Sequence, residues 1–349
     1  MIDVLVAGGG PAGLATAIHA ALAGMEAVVV EPRPGPVDKA CGEGLMPTGA
    51  AALADLGVAV PDGRPFRGIR YVDGPHRVQA EFRDGPGLGV RRTALHTALA
   101  HRARDLGVRV VGGRVDAVRA TGEGVRAHVT GGPEPCGPEE LGARWLVAAD
   151  GLHSPIRARL GLDLPSGGPR RYGLRRHYRV APWTDFVEVH WARGGEAYVT
   201  PVGDDLVGVA VLSSERRTYD EHLARFPDLL ARLDGPPATP VRGAGPLRQR
   251  VRRRVAGRVL LVGDAAGYVD ALTGEGISLA LLSARALVGC LRAGRPEEYE
   301  TAWRRLSWRS RLLTAALVRA RRHPPAARMI VPAARRLPAV FGAAVRSLA

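Results

Sequence analysis

Apolar and polar residues follow two distinct periods along the first part of the chain. Residues 2–7 form a short apolar run that predicts a buried strand, and apolar positions through Leu14 and Ile18 then repeat with the period of a helix. A second apolar run at residues 27–30 ends on Glu31. Strand, helix and strand in this order predict a parallel sheet and an α/β fold.

Glycines fill the turn between the first strand and the helix at the spacing G-x-G-x-x-G. The turn contains Gly8, Gly10, Pro11, Ala12 and Gly13. The first glycine allows a tight turn, the second lets a pyrophosphate approach the backbone, and the third lets the helix pack against the strand. Glu31 is placed to accept hydrogen bonds from a ribose diol, and its charge would repel a 2′-phosphate. The stretch therefore predicts a site for a dinucleotide with an unphosphorylated ribose.

Two further residues suit the same site. Arg33 lies just beyond the second strand, where it is placed to reach the adenosine portion of a bound dinucleotide. Asp150 ends the apolar run 145–149 and begins a D-G-x-x-S-x-x-R pattern. A carboxylate at a strand end can serve a diol or a phosphate-bound water, so we expect Asp150 to contribute to the cofactor site.

The last apolar run leads into a second glycine-rich turn. Gly263 and Asp264 follow that run directly, and a long helix is predicted at residues 275–292. Gly274 and Gly276 free backbone N–H groups at the start of this helix. The pattern predicts a second helix terminus that binds an anion or a carbonyl group.

A Pro- and Gly-rich loop after Glu31 contains a compact cluster. Cys41, Gly42 and Glu43 lie within it, preceded by Lys39. Two glycines around a cysteine and a glutamate suggest close approach of the backbone to a planar ligand. The alternative is an ordinary turn with an inert cysteine.

Long alternating strands at residues 172–212, together with a hairpin at 68–82, predict a separate antiparallel sheet. One face of it would carry Val187, Val189, Trp191, Tyr198, Thr200 and Val202, and the other Glu188 and His190. Such a sheet can form one wall of a substrate pocket. Trp191, Tyr198, Thr200 and His190 are candidates to contact a substrate, although residues of this kind are more often structural.

These patterns predict a discontinuous arrangement of domains. A cofactor domain would comprise residues 1–65, 91–165 and 246–300. A substrate domain would comprise residues 66–90 and 166–245. A basic helical segment would follow at 301–349, with breaks at Pro324, Pro325, Pro332 and Pro338. A polar linker is predicted at residues 131–142.

The net charge of +15 is concentrated in the C-terminal segment. Residues 301–349 contain eleven arginines and neither aspartate nor glutamate. Nucleic-acid binding is not expected, because aromatic residues that could stack on bases are few near these arginines, Trp303 and Trp308 being the nearest in sequence. An anionic lipid, an acidic carrier protein or a phosphorylated substrate suits the segment better, and a solvated helix face is the plainest alternative.

The three cysteines, Cys41, Cys136 and Cys290, are far apart and predict neither a disulfide framework nor a metal site. A signal peptide would place a basic stretch before the first apolar run, and the sequence shows none before the first strand. Residues 4–25 carry no charge, but the glycines and proline of the first turn would break a membrane-spanning helix. A reduced, cytoplasmic setting, with or without peripheral membrane contact, is expected.

Three motifs occur in a characteristic order: GGGPAG with Glu31, ADGLHSPIRARLGL and LLVGDAAGYVDALTGEGI. Together they resemble the FAD-dependent oxidoreductases of the p-hydroxybenzoate hydroxylase superfamily, especially its geranylgeranyl-reductase-like branch. The resemblance implies a glutathione-reductase-type Rossmann fold with FAD as the cofactor. It also implies that Arg92 meets the pyrophosphate, that Val115 contacts the adenine side, and that residues 274–277, ending at Ile277, face the flavin ring.

Three functions remain open under this resemblance. We expect first an NAD(P)H-driven monooxygenase that hydroxylates a hydrophobic phenolic or polyketide-like molecule in secondary metabolism, with Glu43 and His190 as candidate bases. The alternative is a reductase that saturates an isoprenoid C=C bond, with Cys41 as candidate proton donor. A non-catalytic flavin-binding protein is the third. The cluster around Cys41 resembles the corresponding segment of the reductases.

Overall fold

A computed structural model of the chain describes residues 1–131, 139–168 and 170–348. The first strand, Ile2–Ala7, lies between Ala27–Glu31 and Glu139–Ala148 and is parallel to both. We call the eight-stranded sheet around it the cofactor sheet. It is completed by Arg109–Gly112, Arg114–Ala120, Val125–Thr130, Val255–Ala256 and Val259–Leu261. Its strands Ile2–Ala7, Ala27–Glu31 and Val259–Leu261 are buried along almost their whole length, as is usual for parallel strands that are covered on both faces.

Ten helices and one 3-10 turn lie in the described residues. They are α1 (Pro11–Leu22), α2 (Pro47–Asp55), α3 (Arg92–Asp105), α4 (Pro155–Arg159), α5 (Tyr219–Leu223), α6 (Pro227–Leu230), α7 (Gly276–Arg292), α8 (Glu298–Arg322), α9 (Pro324–Arg336) and α10 (Pro338–Arg346), with the 3-10 turn at Gly263–Ala266. The helix predicted at 275–292 thus begins one residue later.

A seven-stranded sheet, which we call the cavity sheet, faces the carboxyl edge of the cofactor sheet across a shared cavity. Its order is Arg242–Ala244, Tyr172–Tyr178, Val207–Ser213, Gly195–Pro201, Phe186–Ala192, Gly68–Asp73 and His76–Glu81. The hairpin at 68–82 joins it, but Gly68–Asp73 pairs with Phe186–Ala192 in parallel. The prediction of a purely antiparallel sheet is therefore wrong at this pair, which joins two segments distant in sequence.

The remaining strands form two smaller sheets. One contains Gly44–Leu45, Gly87–Gly89 and Arg64–Phe66, and the other contains Asp163–Leu164 and Arg250–Val251. Of the predicted linker at 131–142, residues 132–138 with Cys136 lie outside the described residues, and residues 139–142 belong to strand Glu139–Ala148.

The C-terminal segment is helical, and α9 and α10 pack against strand His76–Glu81 of the cavity sheet. Pro324 and Pro338 begin α9 and α10, where a missing N–H leaves no hydrogen bond unmade. Pro332 lies inside α9 without ending it, contrary to the predicted break there. In the part of the chain that the structure describes, no helix has the length and apolar character needed to cross a bilayer.

Candidate cofactor and substrate site

A cavity of about 930 Å³ runs from the carboxyl edge of the cofactor sheet to the cavity sheet. Most predicted site residues line it: Gly8, Gly10, Pro11, Ala12, Glu31, Arg33, Cys41, Gly42, Glu43, Arg92, Val115, Asp150, Tyr198, Thr200, Gly263, Asp264, Gly274, Gly276 and Ile277. Gly13, His190 and Trp191 do not line it. Ligands of open α/β sheets bind at this edge, so the cavity's position fits a dinucleotide.

The three glycines of the G-x-G-x-x-G spacing are each required for a different reason. A Cβ on Gly8, whose φ is +113°, would lie 2.5 Å from the carbonyl oxygen of Ala149. A Cβ on Gly13 would lie 1.8 Å from the carbonyl oxygen of Gly8, so the third glycine allows α1 to pack against the strand. A Cβ on Gly10 would meet only Nη2 of Arg92, at 3.8 Å, and would point into the cavity.

Glu31 ends its strand with its carboxylate in the cavity wall. Oε2 accepts a hydrogen bond from the Gly9 amide at 2.7 Å, and Oε1 accepts one from Nε of Arg33, also at 2.7 Å. Burial raises the pKa of Glu31, but the hydrogen bonds from Arg33 and Gly9 outweigh it and hold the pKa below its usual value. The amide and Nη2 of Arg33 take the remaining lone pairs, so a ribose diol reaches Glu31 only when the half-exposed Arg33 side chain moves aside.

Cations converge on the same end of the cavity. Burial lowers the pKa of Lys39, the neighbouring Arg33 and Arg92 lower it further, and Asp264 opposes them. Burial likewise raises the pKa of Asp264, against the effect of Arg92, Lys39 and Arg157. This positive cluster matches the charge of a pyrophosphate. Lys39 was not among the predicted cofactor ligands, although it is the only lysine in the chain.

Two buried polar atoms in the cavity wall test the fit of a dinucleotide. Nε of Arg92 and Oδ1 of Asp150 have no hydrogen-bond partner among the described residues. Oδ2 of Asp150 accepts a hydrogen bond from the Ile156 amide at 3.1 Å, and burial raises the pKa of this carboxyl. A buried donor and a buried acceptor that lack partners are costly unless a ligand pairs with them. The residues present therefore fit a phosphate- and hydroxyl-bearing cofactor.

The arginine of the D-G-x-x-S-x-x-R pattern ties two of the cofactor loops together. Nη1 of Arg157 donates to the carbonyl oxygen of Ala265 at 3.2 Å, and Nη2 donates to that of Leu152 at 3.0 Å. Its Nε pairs with Asp163 at 2.6 Å. Arg157 thus fixes the turn after Asp150 against the turn that contains Asp264, which explains why the two motifs occur together.

The loop around Cys41 is fastened from both sides. Glu43 has a φ of 59°, the one positive φ of a non-glycine residue in the described chain. Its Oε1 accepts a hydrogen bond from the Arg92 amide at 2.8 Å, and its Oε2 lies 2.5 Å from Nε2 of His177. The Thr200 hydroxyl donates to the carbonyl oxygen of Gly42 at 2.7 Å. These contacts hold the loop between α3 and the cavity sheet.

A buried network that the sequence did not indicate supports Glu43. Nδ1 of His177 lies 2.9 Å from the Thr239 hydroxyl and 3.1 Å from Nη1 of Arg175. Arg175 is fully buried and pairs with Asp38 on the loop that precedes Cys41. The sequence signal was a strand, Tyr172–Tyr178, that places two polar side chains, at 175 and 177, on the same face.

The Cys41 thiol lines the cavity beside Arg92. Burial raises its pKa, Arg92 lowers it and Glu43 raises it, and the net direction is upward. The thiol is therefore protonated at neutral pH, which suits a proton donor and does not suit a nucleophile.

His190 lies on the face of the cavity sheet that points away from the cavity. Its Nε2 lies 3.1 Å from Oε2 of Glu188, which also accepts a hydrogen bond from Nε1 of Trp183 at 2.9 Å. Arg70 completes the set with a 3.0 Å contact to Oε1 of Glu188. The sequence placed His190 and Glu188 on one face correctly, but the candidate role of His190 as a base does not fit this position.

Trp191 is buried behind the cavity wall. Its ring packs against that of Tyr71 with centroids 5.2 Å apart, and Tyr71 lines the cavity instead. The candidate substrate contact is therefore corrected from Trp191 to Tyr71. Alternation predicts which face a residue occupies, but not whether a larger neighbour covers it.

The half of the cavity away from the cations is apolar. The cavity sheet contributes Val187, Val189, Tyr198, Ala210 and Leu212. The C-terminal helices contribute Leu313, Leu317, Ile330, Phe341, Val345 and Leu348. The sequence marked residues 301–349 by charge alone, but their apolar face closes this chamber. Within the described ranges, no group of three or more His, Cys, Asp or Glu side chains is arranged to hold a metal ion.

The model of the FAD binding domain family matches residues 1–294. The chain belongs to this family. It is an FAD-dependent oxidoreductase of the superfamily that its three motifs resemble, and the cationic end of the cavity is the place where FAD fits.

Curated relatives and solved structures resemble this flavoprotein over most of its length. It is 32% identical to a menaquinone reductase of Mycobacterium tuberculosis over 81% of this chain and 74% of the relative. It is 31% identical to a digeranylgeranylglycerophospholipid reductase of Methanopyrus kandleri over 86% of this chain and 82% of the relative. A flavoprotein/dehydrogenase from Cytophaga hutchinsonii has the same fold, with a TM-score of 0.80, 21% identity and coverage of 91% and 88%.

Proposed function

We propose that this flavoprotein is a reductase that saturates a carbon–carbon double bond in the isoprenoid chain of a lipid. The observation that carries the proposal is the apolar chamber that continues from the FAD end of the cavity. It is walled by the cavity sheet on one side and by the C-terminal helices on the other. A flexible hydrocarbon chain gains free energy along such a wall at about 25 cal/mol per Å² of apolar surface buried.

Two hydroxyl groups of the chamber wall are engaged within the protein. The Tyr198 hydroxyl donates to the carbonyl oxygen of Leu272 at 2.8 Å, and the Thr200 hydroxyl donates to that of Gly42. Neither donor is free to orient a polar substrate. Because most of the remaining wall is apolar, the chamber suits a substrate that is recognised by shape and apolar surface, such as a hydrocarbon.

Reduced FAD, when bound, supplies the electron pair for the saturation. The second hydrogen must arrive as a proton from the protein, and Cys41 is our candidate because its thiol is protonated and lines the cavity. The Glu43 amide contacts Sγ at 3.3 Å and, with the fastened loop, orients the thiol. A hydrocarbon that fills the apolar chamber would exclude water as a competing proton source.

The geometry favours this reaction over hydroxylation of a phenol, which was our first expectation from the sequence. Deprotonating a phenol requires a base that faces the substrate. His190 faces away from the cavity, and both carboxylate oxygens of Glu43 are engaged by Arg92 and His177. The two relatives described above are named as reductases, which also supports reduction over hydroxylation. NAD(P)H is the proposed electron donor, on the family resemblance alone.

Product analysis under strict anaerobiosis tests the proposal. The purified protein is supplied with NADH or NADPH and with menaquinone or a geranylgeranyl lipid, and the product is examined by mass spectrometry. We expect a product that has gained two hydrogens per saturated bond. The Cys41→Ser variant should lose about a hundredfold or more in rate, which is the usual contribution of a positioned proton donor. Cys290 is the other described cysteine, and it lies outside the cavity. The matched Cys290→Ser variant should therefore keep full rate. Hydroxylation of a phenol in air, without any anaerobic saturation, would contradict the proposal.

A further inference from the structure

The apolar chamber opens to solvent beside α9 and α10. Among the large apolar residues that line the cavity, Leu337 and Val340 are strongly exposed, at 56% and 62%. Leu337 joins α9 to α10, and Val340 lies in the first turn of α10. These two side chains therefore mark the mouth of the cavity on its substrate side.

A third exposed apolar residue lies on the same helix face. Met329 precedes the cavity-lining Ala333 by four positions, and Leu337 follows Ala333 by four. Residues four apart lie one above the other on a helix, so Met329 extends the mouth by two turns. Met329 is 44% exposed. We call Met329, Leu337 and Val340 the mouth patch.

Arginines without a carboxylate partner among the described residues flank the mouth patch. Arg328 and Arg336 immediately precede Met329 and Leu337 and are exposed. Of the eleven arginines in residues 301–349, Arg304 and Arg321 pair with carboxylates, and the other nine have no carboxylate partner within the described ranges. No acidic residue occurs in this segment to neutralise them.

We propose that the mouth patch docks on an anionic lipid bilayer and that the substrate enters the chamber from that bilayer. Exposed apolar side chains flanked by arginines suit a membrane interface, where the apolar groups enter the acyl region and the guanidinium groups meet lipid phosphates. An acidic carrier protein would satisfy the arginines but would leave three apolar side chains against a polar surface. This inference rests on the proposed function, since it identifies where the lipid substrate comes from.

Sedimentation with vesicles tests the docking surface. The FAD-loaded protein is mixed with vesicles of phosphatidylcholine alone, or of phosphatidylcholine with phosphatidylglycerol. We expect binding at least about tenfold stronger to the anionic vesicles, because each arginine near the surface adds to the attraction. Added salt should weaken this binding.

Two matched variants locate the surface. The double variant L337E/V340E should weaken binding to anionic vesicles by about tenfold or more, since it places charge where apolar groups must enter the bilayer. The variant L230E changes an exposed leucine of α6 that does not line the cavity, and it should bind like the unaltered protein. Flavin absorbance of each variant verifies that it is folded and loaded.

Three results would overturn the inference: no binding to anionic vesicles, equal binding by L337E/V340E, or binding to an acidic carrier protein but not to vesicles. Failure of the proposed function would be visible separately. Unaltered protein that binds anionic vesicles through the mouth patch, yet saturates no detergent-dispersed isoprenoid, would refute the reaction while leaving the docking surface in place.

Discussion

Gly10 differs from its neighbouring glycines because its missing side chain leaves cavity space empty. Gly8 and Gly13 are constrained by backbone packing, since a Cβ added at either would lie 2.5 Å or 1.8 Å from a carbonyl oxygen. At Gly10 the nearest atom to such a Cβ belongs to the Arg92 side chain. A substitution at Gly10 therefore changes ligand binding more than it changes packing.

The Gly10→Asp variant should lose FAD. Its carboxylate would project toward the pyrophosphate position and pair with Arg92, which removes a cation from the cofactor and adds a repulsive charge. We expect the purified variant to be colourless, with flavin absorbance below about a tenth of the unaltered protein. Gly122→Asp, at a position where a Cβ meets no atom within 4 Å, is the control and should stay yellow. A yellow Gly10→Asp protein would show that the cofactor site is misplaced.

Glu275 provides a pH test at the start of α7. Burial raises its pKa to about 7, against hydrogen bonds from Ser310 and Thr273. A carboxyl that binds its proton more tightly in the folded chain stabilises the fold fully below pH 4.5, its ordinary pKa. That stabilisation is then lost as the pH rises to about 7, by no more than about 3 kcal/mol in total.

Urea unfolding at a series of pH values measures the effect. The series runs from about pH 4 to about pH 8, which covers the titration of such a carboxyl. The free energy of unfolding of Glu275→Gln should fall less across this window than that of the unaltered protein. Glu123→Gln, at an exposed loop position, should follow the unaltered profile. Parallel profiles for Glu275→Gln and the unaltered protein would show that Glu275 does not titrate as described.

Individual residues were predictable where a local motif determines their position. Glu31 ends one strand of the cofactor sheet, Asp150 and Asp264 lie just beyond the ends of two others, and parallel strands bring their carboxyl ends together. The pairing of Glu43 with His177 was not predictable, because 134 residues separate them and the contact depends on how two sheets meet. The hydrophobic periodicity around Glu43 or around His177 does not indicate how the two sheets pack against each other.

At the scale of elements, α8 is fixed to the cavity sheet by one buried ion pair. Nη2 of Arg321 lies 3.1 Å from Oε2 of the fully buried Glu196, and Nη1 donates to the carbonyl oxygen of Ala192 at 3.0 Å. Glu196 also pairs with Arg171, so it keeps one cation if Arg321 is removed. The end of α8, and with it the start of α9, depends on this contact.

The Arg321→Gln variant should lower the free energy of unfolding by about 1–3 kcal/mol, because it leaves a buried carboxylate oxygen with a weaker partner. Urea unfolding of the FAD-loaded protein measures the change. Arg319→Gln, at an exposed position of the same helix, should change the free energy of unfolding by less than about 0.5 kcal/mol. An equal effect of the two substitutions would mean that the ion pair does not hold α8 to the sheet.

Helices and strands with strong periodicity were predictable, and their partners were not. The strands of the cavity sheet follow clean alternation, but the parallel pairing of Gly68–Asp73 with Phe186–Ala192 joins segments that no local pattern relates. In α9 and α10, spacing marks an apolar face without showing what it covers. The structure shows that this face closes the apolar chamber.

At the scale of the whole molecule, the cavity spans two sheets and the C-terminal helices. The cofactor end is built from motifs close in sequence to strands of one sheet, so its ligand was predictable. The apolar end is assembled from the cavity sheet and from helices α8 to α10, which meet only in three dimensions. The reaction depends on that second end, and therefore the sequence left hydroxylation and reduction open.

A single-turnover measurement distinguishes reduction of a lipid double bond from hydroxylation. The bound FAD is reduced chemically without oxygen, excess reductant is removed, and menaquinone or a geranylgeranyl lipid is added while flavin absorbance is followed. If the flavoprotein saturates a lipid, the absorbance of oxidised FAD should return without oxygen, with one saturated double bond formed per FAD reoxidised. Reoxidation that waits for the admission of oxygen, with no saturated product, would contradict it.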